Sequence, residues 1–267
     1  MTSACLLLGG APTARLVAMA FCVASSSYAI DRIVDSKRDA HPSRTRALLA
    51  VKGLVPLSFA LFAIAVLLGV TSEHPVAGLL TVAFPLSVAL YVLPWMQHLS
   101  MRLSRAGFRR IKDIPFAKSF YVPACWSLLV LWAWPFFPRA GTREVAFAVL
   151  VLFPSLFVTA AACDLRDEQA DRAAGIITFA VALGRKRALA MLRVIQAASM
   201  AAFLALSVAG LLPAVAGWLA LSGLSVLWCL RRLSQPEADV TFFSDVVFDL
   251  LWVFQPLPAV AAAILRG

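Results

Sequence analysis

An all-helical bundle crossing a membrane about eight times is the fold class this sequence predicts, and three observations predict it. Of 267 residues, 61% are hydrophobic and only 14% charged, a composition outside the range of soluble globular domains. The apolar positions run unbroken for about 20 residues at a time, the length that crosses a bilayer. The basic residues gather in every second connection, as the positive-inside rule demands. Long runs without alternation exclude a transmembrane β-barrel. The composition excludes a soluble enzyme, a secreted disulfide scaffold and a disordered polymer.

Charge-free runs locate the spans, and proline, glycine and charge clusters separate them. Spans are expected over 5–30, 53–72, 76–94, 116–137 and 145–163. The uncharged run 194–230 is too long for one span and adequate for two, with a break at Gly210-Leu211-Leu212-Pro213. A last span over 242–265 makes eight. The chain is read as one transmembrane domain over 1–267. The first residues lack the positive n-region of a secretory signal, so the first apolar stretch is taken as mature structure.

With eight spans, the connections after the first, third, fifth and seventh hold 20 of the 24 basic residues. Those connections are assigned to the cytoplasm and both termini to the other side. Arg15 stands out, midway along the first apolar segment, where it must snorkel or face a polar cavity. The net charge of +10 is largely this orientation signal. No aromatic-rich basic array suggests nucleic acid. Cys5, Cys22, Cys125, Cys163 and Cys229 are scattered through apolar runs and read as packing residues. His41, His74 and His98 lie apart and suggest no zinc site.

The acids are more informative, because orientation does not require them. Twelve of the 14 fall on the side assigned to the cytoplasm. One cluster, Ser27-Tyr-Ala-Ile-Asp31-Arg32-Ile-Val-Asp35, ends the first span; another, Cys163-Asp164-Leu-Arg-Asp167-Glu168-Gln-Ala-Asp171, ends the fifth. Each contains Asp-x-x-x-Asp, which on a helix sets both carboxylates on one face about 5–6 Å apart at Cβ. Like charges so placed repel unless a cation sits beside them. Mg2+ is the hard cation that takes one or two carboxylates plus substrate phosphates. Acids pairing with Arg32, Arg38, Arg166 and Arg172 is the plainer structural reading. Two pairs, both at cytoplasmic span ends and both followed by basic residues, favour the metal site. A third pair, Asp245-x-x-x-Asp249, begins the last span, and Asp249 is an intramembrane acid that nothing else marks.

The stretch Asp164-Leu-Arg-Asp167-Glu-Gln-Ala-Asp171-Arg-Ala-Ala-Gly175-Ile-Ile-Thr178-Phe-Ala-Val-Ala-Leu-Gly184 closely resembles the second aspartate motif of the UbiA family of intramembrane prenyltransferases. The first cluster resembles that family's Asn-x-x-x-Asp-Arg-x-x-Asp motif, matched by Asp31, Arg32 and Asp35. The resemblance implies a helical bundle around a central cavity, open to the cytoplasm for a diphosphate and to lipid for a prenyl tail. It implies Mg2+ ions bridging the aspartates to an allylic prenyl diphosphate. Asp31 and Asp35 would hold one ion and Asp167 with Asp171 another, with Asp164 as an accessory acid. Ser27, Arg32 and Arg172 would face the substrate. In the segment from Arg109 to Lys118, Lys112 and then Lys118 would contact the phosphates. Phe116, Phe120, Tyr121, Trp126, Trp95 and Phe21 could present faces to an allylic cation, though most read as packing or interfacial rings.

Three departures accompany the resemblance. Ser27 stands where the family has asparagine, the Arg-Pro segment after the first motif survives only as the loose echo Ser43-Arg44-Thr45-Arg46, and one helix before the first motif is missing. Either the start is late or the chain is a reduced member. The expected activity is prenyl transfer from a prenyl diphosphate to a lipophilic, aromatic acceptor, as in quinone or related cofactor synthesis, in a bacterial cytoplasmic membrane and without an obligate protein partner. Phosphoribosyl transfer to a polyprenyl phosphate, or prenyl cyclisation, would use the same site. A small membrane transporter would instead place acids at the midplane on broken helices. A noncatalytic member is the remaining alternative.

Overall fold

The computed structural model describes residues 2–10, 13–35, 53–72, 74–94, 110–248, 250 and 251; its elements are helices joined by turns and short connections, with no strand among the described residues. The chain divides into two compact units, Thr13–Ile114, and Met1–Pro12 with Pro115–Gly267.

The expected first span over 5–30 is two helices. Helix α1 (Thr2–Leu7) ends before Gly9 and Gly10, and α2 (Ala14–Asp35) starts a new helix beyond them. Consecutive glycines carry the highest helix cost after proline and interrupt an otherwise apolar run. Arg15 consequently lies in the first turn of α2 and not at mid-span. It is exposed, and its guanidinium donates to the Thr71 carbonyl at 3.1 Å.

In the Thr13–Ile114 unit, α2 packs with α3 (Leu54–Val70) and α4 (Pro75–Val92), each touching the other two. A 3-10 turn at Ile111–Asp113 lies against α4. Arg110 holds that turn, its backbone N–H donating to Asp113 Oδ2 at 2.9 Å and its guanidinium to Oδ1 at 2.6 and 2.9 Å.

The other unit holds α1, then α5 (Ala117–Ser127), which breaks at Leu128 before the short α6 (Leu129–Ala133). Next come α7 (Thr142–Ala173), α8 (Phe179–Val208) and α9 (Val215–Arg232). The short α10 (Val240–Phe242) runs on as a π-helical turn, Phe243–Val247. Helices α7, α8 and α9 pack in sequence, α5 lies on α7, and α1 is seated against α6, α7 and α9. Leu192, Leu230 and Phe248 fill the core, while buried Ala161, Ala162, Ala180 and Ala188 line the contacts between backbones. Small residues of this kind let helices approach closely where lipid supplies no hydrophobic drive.

The break expected at 210–213 is present between α8 and α9. Two boundaries differ from expectation. Helix α7 does not stop at 163 but carries the whole acidic motif to Ala173, and α8 starts at Phe179, so Arg185, Lys186, Arg187 and Arg193 ride on helix rather than in a loop. Alanine, leucine, arginine and glutamate are strong helix formers, and charge alone does not end a helix. At 1.5 Å per residue, α7 is about 48 Å long, longer than a hydrocarbon core of about 30 Å. Among the described residues, the segments 117–136, 142–173 and 179–208 are long and apolar enough to cross a membrane, with shorter apolar helices over 14–27, 55–70 and 81–91.

Candidate active site

Backbone geometry explains why the residues after the acidic motif are of these types. Gly175 follows α7 with φ +72°, the Ile176 N–H reaches back to the Asp171 carbonyl at 2.8 Å and the Gly175 N–H to that of Arg172 at 3.2 Å. This is a glycine-terminated helix end in which two otherwise orphan carbonyls are satisfied. Thr178 then begins α8, its hydroxyl accepting from the Val181 N–H at 3.3 Å. Gly184, at φ 72° and ψ 158°, kinks α8 in a conformation essentially reserved for glycine.

Along α7, Asp164, Asp167 and Asp171 are spaced three and four apart and share one face. The first turn of α5 brings Lys118 to that face. Its Nζ donates to Asp171 Oδ1 and Oδ2 at 2.9 and 2.7 Å and to Asp167 Oδ2 at 3.3 Å, and lies 3.6 Å from Asp164 Oδ1. Neighbouring Ser119, itself buried, donates from Oγ to Asp164 Oδ2 at 2.6 Å. Arg166 closes on Asp167 through Nε and a terminal nitrogen, at 2.7 and 3.0 Å. Asp164 and Asp171 are each only 5% exposed and Asp167 is half-buried, so three carboxyl groups are drawn together against two cations.

The start of α5 is held in an uncommon conformation. Phe116 takes φ 63° as the residue before the helix, a left-handed value rare for a bulky side chain. Its N–H donates to the Ile177 carbonyl at 2.7 Å, and its ring lies 4.7 Å from that of Phe179. Those two contacts to the α7–α8 connection fix the direction in which Lys118 and Ser119 leave the backbone.

Beneath the acids lies a group of phenylalanines. Phe120 stacks on Phe157 at 5.1 Å and meets Phe179 edge-on at 5.5 Å, Phe157 meets Phe179 edge-on at 5.4 Å, and Phe153 flanks both Phe120 and Phe157 at 6.3 Å. Phe157 precedes Asp164 by two turns on the same face of α7, about 10 Å along the axis. Phe116 and Phe120 thus join one cluster, whereas Phe21 is 64% exposed, Trp126 points partly outward, and Trp95 lies outside the described residues. Sequence reasoning missed Ser119, Phe153, Phe157 and Phe179. The spacing Phe153, Phe157, Asp164, Asp171 repeats by four, seven and seven, a single helical stripe that could have revealed the two α7 rings.

The remaining predicted residues are placed as follows. Ser27 is buried on α2, and its Oγ makes no hydrogen bond among the described residues. Asp31, Arg32 and Asp35 belong to the last turns of α2, but their side chains lie outside the described residues. Lys112 is buried in the 3-10 turn of the Thr13–Ile114 unit. Arg172 is largely exposed and pairs with Glu168 at 2.8 Å, so its guanidinium is directed along α7 and not at the Lys118 cluster. Asp249 and the side chain of Asp245 lie outside the described residues.

No group of three His, Cys, Asp or Glu side chains is spaced to hold a metal ion among the described residues. The α7 carboxylates face one ammonium instead. Their donor set is nevertheless oxygen-only and turned toward a common cationic point, which is the chemistry a hard divalent cation requires. The orphan Oγ of Ser27, one turn before Asp31, likewise fits a polar ligand. The arrangement holds the Lys118 ammonium against three carboxylates on the face of α7 that also carries Phe153 and Phe157.

A family model described as the UbiA prenyltransferase family matches residues 2–253 of the chain. No curated protein and no solved structure matches it.

Proposed function

The chain belongs to the UbiA prenyltransferase family, and from that membership we propose that it transfers the prenyl group of an allylic prenyl diphosphate to a lipophilic, aromatic acceptor inside the membrane. Members of the family are intramembrane prenyltransferases, and this chain is an integral membrane protein. The observation that carries the finer reading is the stripe on α7, in which Phe157, a member of the Phe120–Phe157–Phe179 cluster, is followed two turns later on the same face by Asp164 and then Asp171, with Asp167 between them.

In this reading Asp167 and Asp171, with Asp164 as the accessory acid, hold Mg2+ for the diphosphate, and Asp31 with Asp35 serve a second ion. Mg2+ bound there would act as a Lewis acid toward the diphosphate leaving group, a contribution of several kcal/mol. Lys112 neutralises phosphate oxygens. The phenylalanine rings exclude water from the allylic carbon and turn π faces toward positive charge developing there. The acidic end of α7 is placed at the cytoplasmic face of a bacterial membrane, supported by the bias of 20 of 24 basic residues to one set of connections.

The test is to incubate membranes containing the chain with labelled prenyl diphosphates of several lengths, with and without Mg2+ and phenolic acceptors. Mg2+-dependent diphosphate release with an acceptor adduct is expected. Release without an adduct would replace transfer by cyclisation or hydrolysis, and no release at any chain length would overturn the enzymatic reading.

A further inference from the structure

We propose that Lys118 is an internal counter-cation of the second aspartate motif, occupying its cation position until a divalent metal displaces it. This rests on the reading of Asp167 and Asp171 as metal-holding residues.

The Lys118 ammonium is the shared partner of all three carboxylates, within 2.7 to 3.6 Å of each. A Mg2+ ion takes its oxygens at about 2.0–2.1 Å, so an ion on the same oxygens would stand against the ammonium with no room for water between them. Two cations cannot share that place, and the divalent one gains more from the carboxylates.

The surroundings let the lysine leave without dismantling the site. Asp164 is also held by Ser119 Oγ, and Asp167 by Arg166 through two bonds. The backbone of Asp171 is fixed by the Ile176 N–H. The start of α5 is pinned at Phe116 by the Ile177 carbonyl and the Phe179 ring. The Asp164 and Asp167 carboxylates and both backbones therefore stay, and the four-carbon lysine stem is what moves. Its side chain is 22% exposed, against 7% for Asp164 and Asp171, so part of its surface is uncovered and leaves it a direction in which to swing. Once released, its ammonium is available to the oxygens of a diphosphate. Lys118 is in this sense a positioning residue: it keeps three crowded acids compatible before the metal arrives.

The experiment uses the full chain in nanodiscs and two readouts other than turnover. Acylation of Lys118 by an amine-reactive reagent, mapped by mass spectrometry, is expected to rise at least fivefold on replacing EDTA by Mg2+. Binding of Mn2+ alone, taken as the component abolished by Asp167→Asn, is expected to tighten tenfold or more in Lys118→Met and not in Lys118→Arg. Labelling indifferent to Mg2+, or Mn2+ binding by Lys118→Met that is unchanged or weaker, overturns the proposal while leaving the metal reading intact. Absence of Mn2+ binding by both the natural chain and Lys118→Met overturns the metal reading and this inference with it. The labelling arm needs no variant, so a failure of Lys118→Met to fold does not remove the test.

Discussion

Ser119 Oγ donates to Asp164 Oδ2 across 2.6 Å, joining the first turn of α5 to the acidic face of α7 in a place where both residues are at most 5% exposed. The bond matters because a buried carboxylate left without a donor bears its full desolvation cost. Ser119→Ala removes the donor and keeps the volume nearly constant. The expected cost is about 1–3 kcal/mol, the penalty for an unsatisfied buried acceptor, read from the denaturant midpoint in detergent. An unchanged midpoint would show that this hydrogen bond does not tie the two helices together.

The phenylalanine cluster separates packing from chemistry. Phe157 is 4% exposed and touches three other rings, so Phe157→Ala is expected to destabilise by about 3–5 kcal/mol through the cavity it leaves. Phe120 is 44% exposed and stacks on the same ring. Phe120→Ala is expected to cost less stability and to lower the yield of acceptor adduct relative to diphosphate released. Thermal melts of both variants, set beside their product ratios, check this pairing.

Gly184 offers a substitution whose cost is conformational alone. A Cβ at that position would meet no atom within 4 Å, yet the backbone stands at φ +72° in the second turn of α8. Gly184→Ala is therefore expected to cost about 1–3 kcal/mol by backbone strain. Stabilisation by this substitution would mean that α8 runs straight through position 184.

Much of this site was legible in the sequence because its cause is periodic. The Asp164, Asp167, Asp171 spacing places three acids on one helical face wherever the helix goes, and the break at Gly210–Pro213 is written in residues that cannot continue a helix. What pairs with those acids was not legible. Lys118 and Ser119 meet Asp171 and Asp164 across about 50 positions of chain, and the left-handed Phe116 that aims them has no sequence signature. Helix ends differ from expectation for a separate reason. Charged residues in 164–173 and 185–193 read as a connection by hydropathy, yet most are good helix formers and both segments are helical. The Gly9-Gly10 interruption is hidden by the apolar residues on both sides of it, and with it the placement of Arg15 at a helix start.

The central claim is that the carboxylates of α7 serve the departure of diphosphate. It is tested most directly by comparing Mg2+-dependent diphosphate release from a prenyl diphosphate in the natural chain, Asp167→Asn and Asp171→Asn, with retained helix content as the control for folding. Asparagine keeps the shape and removes the charge. The account predicts a fall of at least about 100-fold in each variant, the scale set by several kcal/mol of Lewis-acid stabilisation. Release that proceeds at the natural rate in a folded Asp171→Asn protein would contradict it.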